Sequence, residues 1–66
     1  MNITLNGNKK EIENINNVRE LLGVLLETDR GVLVELNGEI VHRDNWEERP
    51  VREGDTVELI QFIGGG

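Results

Sequence analysis

The sequence predicts an α+β domain: a mixed β-sheet covered on one face by one main α-helix. Three observations carry that prediction. Short runs of alternating apolar and polar residues recur along the chain, and Asn6-Gly7 and Asn37-Gly38 each follow one of them. Asn-Gly is the strongest short hairpin signal, because both residues tolerate positive φ. Between the two turns, one stretch switches to helical spacing. The longest strand signal comes last, from Thr56 to Ile63, and leads into Gly64-Gly65-Gly66.

The chain opens with Asn2 to Leu5, where Ile3 and Leu5 share a face. After Asn6-Gly7, Lys9 to Ile15 reads as the returning strand, with Ile12 its apolar anchor. Asn17 and Glu20 have the spacing of a capping box, an Asn cap with a Glu three residues on. Val18, Leu21, Leu22, Leu25 and Leu26 then fall at i, i+3, i+4, i+7 and i+8, one apolar stripe on a helix of about three turns. Gly23 lies off the centre of the stripe at a cost of roughly 1 kcal/mol relative to Ala, and close packing is the one reason the sequence offers. Gly31 reads as the helix stop.

Val32 to Leu36 is a strand with Val32, Val34 and Leu36 inward; Asn37-Gly38 turns it, and Glu39 to Val41 returns. From His42 to Arg52 the period is lost. Asp44 is placed to cap a single helical turn that tucks Trp46 against the core, and Pro50 ends it. Glu53-Gly54-Asp55 is a turn into the last strand. A right-handed crossover through the helix sets the first strand beside the last, in parallel. That arrangement is a ubiquitin-like β-grasp spanning residues 1–63, with the last strand central and a flexible Gly tail, 64–66, beyond it.

Composition bounds the function. Hydrophobic residues make up 36% of the 66, almost all Val, Ile and Leu, enough for one sheet face and one helix. The absence of cysteine excludes disulfides, zinc-thiolate and iron–sulfur sites. His42 alone builds no metal site. Thirteen acidic against seven basic residues, a net charge of −6, argue against nucleic acid, whose phosphates need a basic surface. The acidity either steers the protein to a basic partner or only keeps it soluble. With no signal-peptide pattern and no apolar run long enough for a membrane, a cytoplasmic protein is expected. There is no phosphate-binding loop and no nucleophile–base pair.

The tail is the unusual feature. Glycine has no Cβ, and at roughly 3.3–3.6 Å per extended residue three of them carry an α-carboxylate about 10 Å beyond the last packed side chain. Such a probe suits another protein's active-site channel. A frayed terminus without a role is the alternative reading.

Asn37-Gly38-Glu39-Ile40-Val41, Arg43, Trp46, Glu53-Gly54-Asp55-Thr56-Val57-Glu58 and the terminal Gly64-Gly65-Gly66 together resemble the ThiS-type sulfur carrier proteins of thiamine biosynthesis, over the whole chain. The molybdopterin-synthase small subunits share fold and tail but approach the glycines through a proline, which Gln61-Phe62-Ile63 lacks. The resemblance implies that Gly66 is the functional residue. A ThiF-type adenylating enzyme would use ATP to form an acyl-adenylate there. A persulfide sulfur donor would displace AMP and leave a thiocarboxylate, and a ThiG-type thiazole synthase would take the sulfur. It implies no cofactor bound by the chain itself, no catalytic residue, and Gly64 and Gly65 threading the partner's channel. Without a cysteine, no side-chain thiol can carry the sulfur, which agrees with a role for the terminus.

Alternation along the last strand puts Val57 and Leu59 toward the helix and Ile60 and Phe62 on the other face. Ile60 and Phe62 are therefore the expected partner-docking patch. The alternative is that Phe62 folds back on the domain. Trp46 reads as packing rather than recognition, His42 as surface, and Glu47-Glu48-Arg49 as solvated. Two classes of function stay open at this point: a covalent sulfur carrier, in thiamine or molybdopterin synthesis, and a non-covalent ubiquitin-like binding module. Conjugation to lysines is a weaker third.

Overall fold

The computed structural model describes residues 1–62. Five strands form one sheet: β1 (Asn2–Leu5), β2 (Asn8–Glu11), β3 (Val32–Leu36), β4 (Glu39–Val41) and β5 (Thr56–Gln61). Helix α1 (Val18–Leu25) lies between β2 and β3, and a 3-10 turn (Arg43–Asn45) between β4 and β5. The sheet order is β2-β1-β5-β3-β4. β5 is central, parallel to β1 and antiparallel to β3. This is the ubiquitin-like β-grasp.

Both Asn-Gly pairs form their turns with positive φ at each residue, 48° and 85° at Asn6 and Gly7, 52° and 83° at Asn37 and Gly38. The same two asparagines then do a second job. Asn6 Oδ1 accepts from the Leu59 amide at 2.8 Å and its Nδ2 donates to the Leu59 carbonyl at 3.3 Å. Asn37 Oδ1 accepts from the Thr56 amide at 2.8 Å. Each side chain stands in for a missing strand residue, so β5 is clamped from both neighbours.

The core lies between the sheet and α1. Ile3, Val34, Leu36, Val41 and Val57 face Val18, Leu21 and Leu22, closed at the rim by Ile12, Ile15, Trp46 and Val51. Trp46 is 2% exposed and its Nε1 donates to the Val41 carbonyl at 3.1 Å, satisfying its one polar atom. Arg43 lies 4.6 Å above the ring and also donates to the Asp29 carbonyl at 2.8 Å. The Arg43–Trp46 pairing is thus a strap that holds the loop after α1 onto the core.

The capping box forms with a shift. Asn17 Oδ1 accepts from the Glu20 amide at 2.8 Å, but the Glu20 carboxylate accepts from the Asn16 amide at 2.7 Å rather than from Asn17. The next free amides of the helix, on Val18 and Arg19, donate to the carbonyls of Arg49 and Trp46. The irregular 46–49 segment is therefore what satisfies the start of α1.

Several boundaries differ from the sequence expectation. β2 ends at Glu11, with all four residues exposed, and Ile12 anchors from just beyond it. α1 has 8 residues, about two turns rather than three, because Leu26 adopts extended backbone while its amide still reaches the Leu22 carbonyl. Leu25, the last helical residue, and Leu26, just beyond it, remain half-buried against the core. Gly31 is not the helix stop; it sits at φ 66° directly before β3. Asp44 lies inside the 3-10 turn, and His42 at its cap makes no side-chain cap bond. A Cβ on Gly23 would meet nothing within 4 Å, so close packing does not explain that glycine. β5 ends at Gln61, Phe62 follows outside the strand, and Ile63 lies outside the described residues.

Candidate functional site

The site is the end of β5, from which the sequence continues into the glycines. Three elements fix its position. Asn6 holds Leu59 on the β1 side. On the β3 side the register runs Leu33↔Ile60 and Val32↔Gln61, and the Phe62 amide extends it by donating to the Gly31 carbonyl at 2.9 Å. From the helix side, Gln61 Nε2 donates to the carbonyls of Thr28 at 2.9 Å and Arg30 at 3.1 Å, tying the α1–β3 loop to the strand end.

Gly31 is required here for two reasons. Its φ favours glycine, and a Cβ there would lie 2.7 Å from the Phe62 carbonyl oxygen. A shallow depression of about 740 Å³ opens beside this junction, lined by Leu25, Leu26, Thr28, Arg30, Gln61 and Phe62.

Ile60 is 48% and Phe62 68% exposed. The fold-back alternative for Phe62 is not what the structure shows. Ile60 projects from the uncovered face of the sheet, with Leu33 beside it on β3. Glu58 stands directly opposite Glu35, which in turn faces the exposed Ile40 of β4. Like charges directly across a strand pair are unfavourable in isolation. The β3–β4–β5 part of this face therefore sets Leu33, Ile40 and Ile60 beside two carboxylates, while the β1–β2 part carries Asn2, Thr4, Lys9 and Glu11. Gly64, Gly65 and Gly66, the expected channel and modification residues, lie outside the described residues.

Leu33, Ile40, Gln61, Gly31 and the asparagine clamps were not expected at this site. Leu33 had a signal, since it holds the outward parity of a strand whose inward residues were assigned; Ile40 lies in a returning strand for which no face was assigned. Gln61 and the clamps had none, because each acts through a backbone partner 19 to 53 positions away. Among the described residues, no three His, Cys, Asp or Glu side chains come together as a metal ion requires. No helix among them is long and apolar enough to cross a membrane.

The fold and the strand end define the class: a ubiquitin-like β-grasp with a clamped central strand that leads in sequence into three glycines. The ThiS family model matches residues 3–66. The chain is 39% identical over 49 residues to the sulfur carrier protein ThiS of Escherichia coli, covering 74% of each. It is 38% identical over all 66 residues to a thiazole synthase of Paramagnetospirillum magneticum, and spans 20% of that protein's length. A crystal structure of the thiamine biosynthesis protein ThiS from Geobacter metallireducens superposes with a TM-score of 0.84 at 40% identity, with both chains fully covered. The chain belongs to the ThiS family.

Proposed function

We propose that this chain is the sulfur carrier of thiazole formation in thiamine biosynthesis, a protein cosubstrate rather than a catalyst, working in the cytoplasm. The observation that carries the reading is the end of β5: a central strand held from three directions, continuing in sequence into Gly64-Gly65-Gly66. A carboxylate is a poor electrophile. An adenylating partner of the ThiF type uses ATP to convert the Gly66 carboxylate to an acyl-adenylate, releasing pyrophosphate. Sulfur from a persulfide donor then replaces AMP, and the thiocarboxylate passes to a thiazole synthase.

The residues support this division of labour. The chain has no cysteine, so covalent sulfur has no side chain to occupy. Gly64 and Gly65 give the carboxylate a stem slim enough for the α-phosphate of ATP to be approached within a narrow channel. Ile60 and Phe62, with Leu33 opposite Ile60, supply the apolar docking patch, and Glu35 and Glu58 favour a partner that brings basic residues to it. The relatives bearing the names sulfur carrier and thiazole synthase fit the same pathway.

The test is intact mass after incubation with the activating enzyme, ATP and a sulfur donor. Exchange of one oxygen for sulfur at Gly66 is expected; sulfur elsewhere, or none, defeats the reading. Gly65→Val should abolish pyrophosphate exchange while the domain melts like wild type. Gly64→Ala should be milder.

A further inference from the structure

Both hairpin turns carry the same tripeptide, Leu5-Asn6-Gly7 and Leu36-Asn37-Gly38. Asparagine before glycine is chemically labile. With no Cβ on the following residue, its backbone nitrogen can reach the asparagine Cγ. Both asparagines are exposed, and neither turn offers protection by burial. What differs is how each amide is held.

Asn37 is held firmly. Its Nδ2 donates at 3.0 Å to the Asp55 carboxylate, a charged acceptor and so a stronger one. The other oxygen of Asp55 accepts from the Arg52 amide at 2.8 Å, which fixes the acceptor itself. The strand after the turn, β4, cannot peel away cheaply. Val41 is buried, its carbonyl takes the Trp46 indole, and Glu39 pairs with Arg49.

Asn6 matches Asn37 at Oδ1, each accepting a backbone amide at 2.8 Å, but its Nδ2 is held less firmly. Its Nδ2 reaches only a neutral carbonyl, that of Leu59, at 3.3 Å. The strand after its turn, β2, is exposed at all four positions, so opening it withdraws no side chain from the core. Local opening of this hairpin belongs at the low end of the stability scale, and opening of the other well above it.

We propose that Asn6 is a site of spontaneous covalent modification in the folded protein, whereas Asn37, in the same tripeptide, is protected by its clamp. In the opened turn the Gly7 backbone nitrogen, having lost its proton to solvent, attacks Asn6 Cγ. The new C–N bond closes a succinimide as the Cγ–Nδ2 bond breaks, and Nδ2 takes a proton from solvent and leaves as ammonia. Water opens the ring to isoaspartate or aspartate; nothing is oxidised or reduced. The product does not reclose. A carboxylate oxygen replaces the donor that faced the Leu59 carbonyl, and isoaspartate adds a methylene to the turn backbone. The change slackens β5 at Leu59, immediately before the site. This inference stands independently of the sulfur-carrier reading.

The experiment ages the intact chain in mildly alkaline buffer, with and without denaturing urea. Peptide mass mapping and isoaspartyl methyltransferase labelling follow each site. In urea the two sites should convert at similar rates, since both read Leu-Asn-Gly. In the folded protein Asn6 should convert at least roughly tenfold faster than Asn37, the ratio of their open populations. Conversion of Asn37 as fast as Asn6 in the folded state, or no conversion of Asn6, overturns the proposal. Asn6→Asp serves as a product mimic. It should speed amide exchange at Leu59 while leaving Thr56, held by Asn37, unchanged; unaltered exchange at Leu59 overturns the claimed consequence for β5.

Discussion

The two faces of the sheet are built from the same strands and obey opposite rules. Toward α1, Ile3, Val34, Leu36 and Val57 are each at most 2% exposed, and every neighbour is apolar. On the other face the same strands present Leu33, Ile40 and Ile60 around Glu35 and Glu58. In β5 the two environments alternate residue by residue: Val57 is fully buried and Ile60 half exposed, three positions apart. The covered face secures the fold, and the uncovered one leaves apolar surface and like charges unpaired. Such a face is costly to keep unless a partner completes it.

The largest expected effect is on the covered side. Trp46 is the largest fully buried side chain, and it joins β4, the 3-10 turn and, through Arg43, the loop after α1. Trp46→Ala should cost about 3–5 kcal/mol. A 66-residue domain has little more than that to lose. Thermal unfolding by circular dichroism should show the variant largely unfolded at 37 °C. A melting temperature within a few degrees of wild type would mean that the 43–49 segment merely covers the core.

The same contrast explains what the sequence made legible. Parity within a strand is local information, so the inward set Ile3, Val34, Leu36 and Val57 could be read directly, as could the two turns, the helix start and the central last strand. The 42–52 segment has no period. Its structure comes from contacts across the chain, such as the Arg49 and Trp46 carbonyls meeting the amides of α1. The sequence overstates the length of α1 because Leu26 continues the helical stripe while packing from extended backbone beyond the helix end. At the strand end, the exposure of Ile60 and Phe62 is legible by alternation. Gln61 and the asparagine clamps were not, because polar side chains bonded to distant backbone leave no pattern.

A smaller effect tests whether the outer side of α1 belongs with the uncovered face. Gly23 is exposed, and a Cβ there meets nothing within 4 Å. Gly23→Ala should therefore raise stability by about 0.5–1 kcal/mol, from helix propensity alone. That amounts to a few degrees in melting temperature. If partners bind only through the uncovered face and the strand end, pyrophosphate exchange by the activating enzyme should not change. Lost exchange with raised stability would show that the helix surface is also part of a docking interface.

The smallest effect on stability is the one that bears most on the uncovered face. Phe62 is 68% exposed, and its backbone amide, not its ring, makes the recorded bond to Gly31. Truncating it should leave the folded domain within about 0.5 kcal/mol of wild type, as for other surface positions. Ile60→Ala should behave alike, since Ile60 is half exposed on the uncovered face, opposite Leu33. In binding the order reverses. Exposed aromatic and aliphatic anchors near the centre of an interface commonly contribute on the order of 2 kcal/mol each, or about thirtyfold in affinity. Titration calorimetry of each variant against the activating enzyme, beside its thermal melt, separates the two quantities. Weakened binding with an unchanged melt makes the uncovered face a recognition surface. A melt lowered by several degrees places Phe62 in the core with Val57, and the difference between the two faces would then end at Ile60.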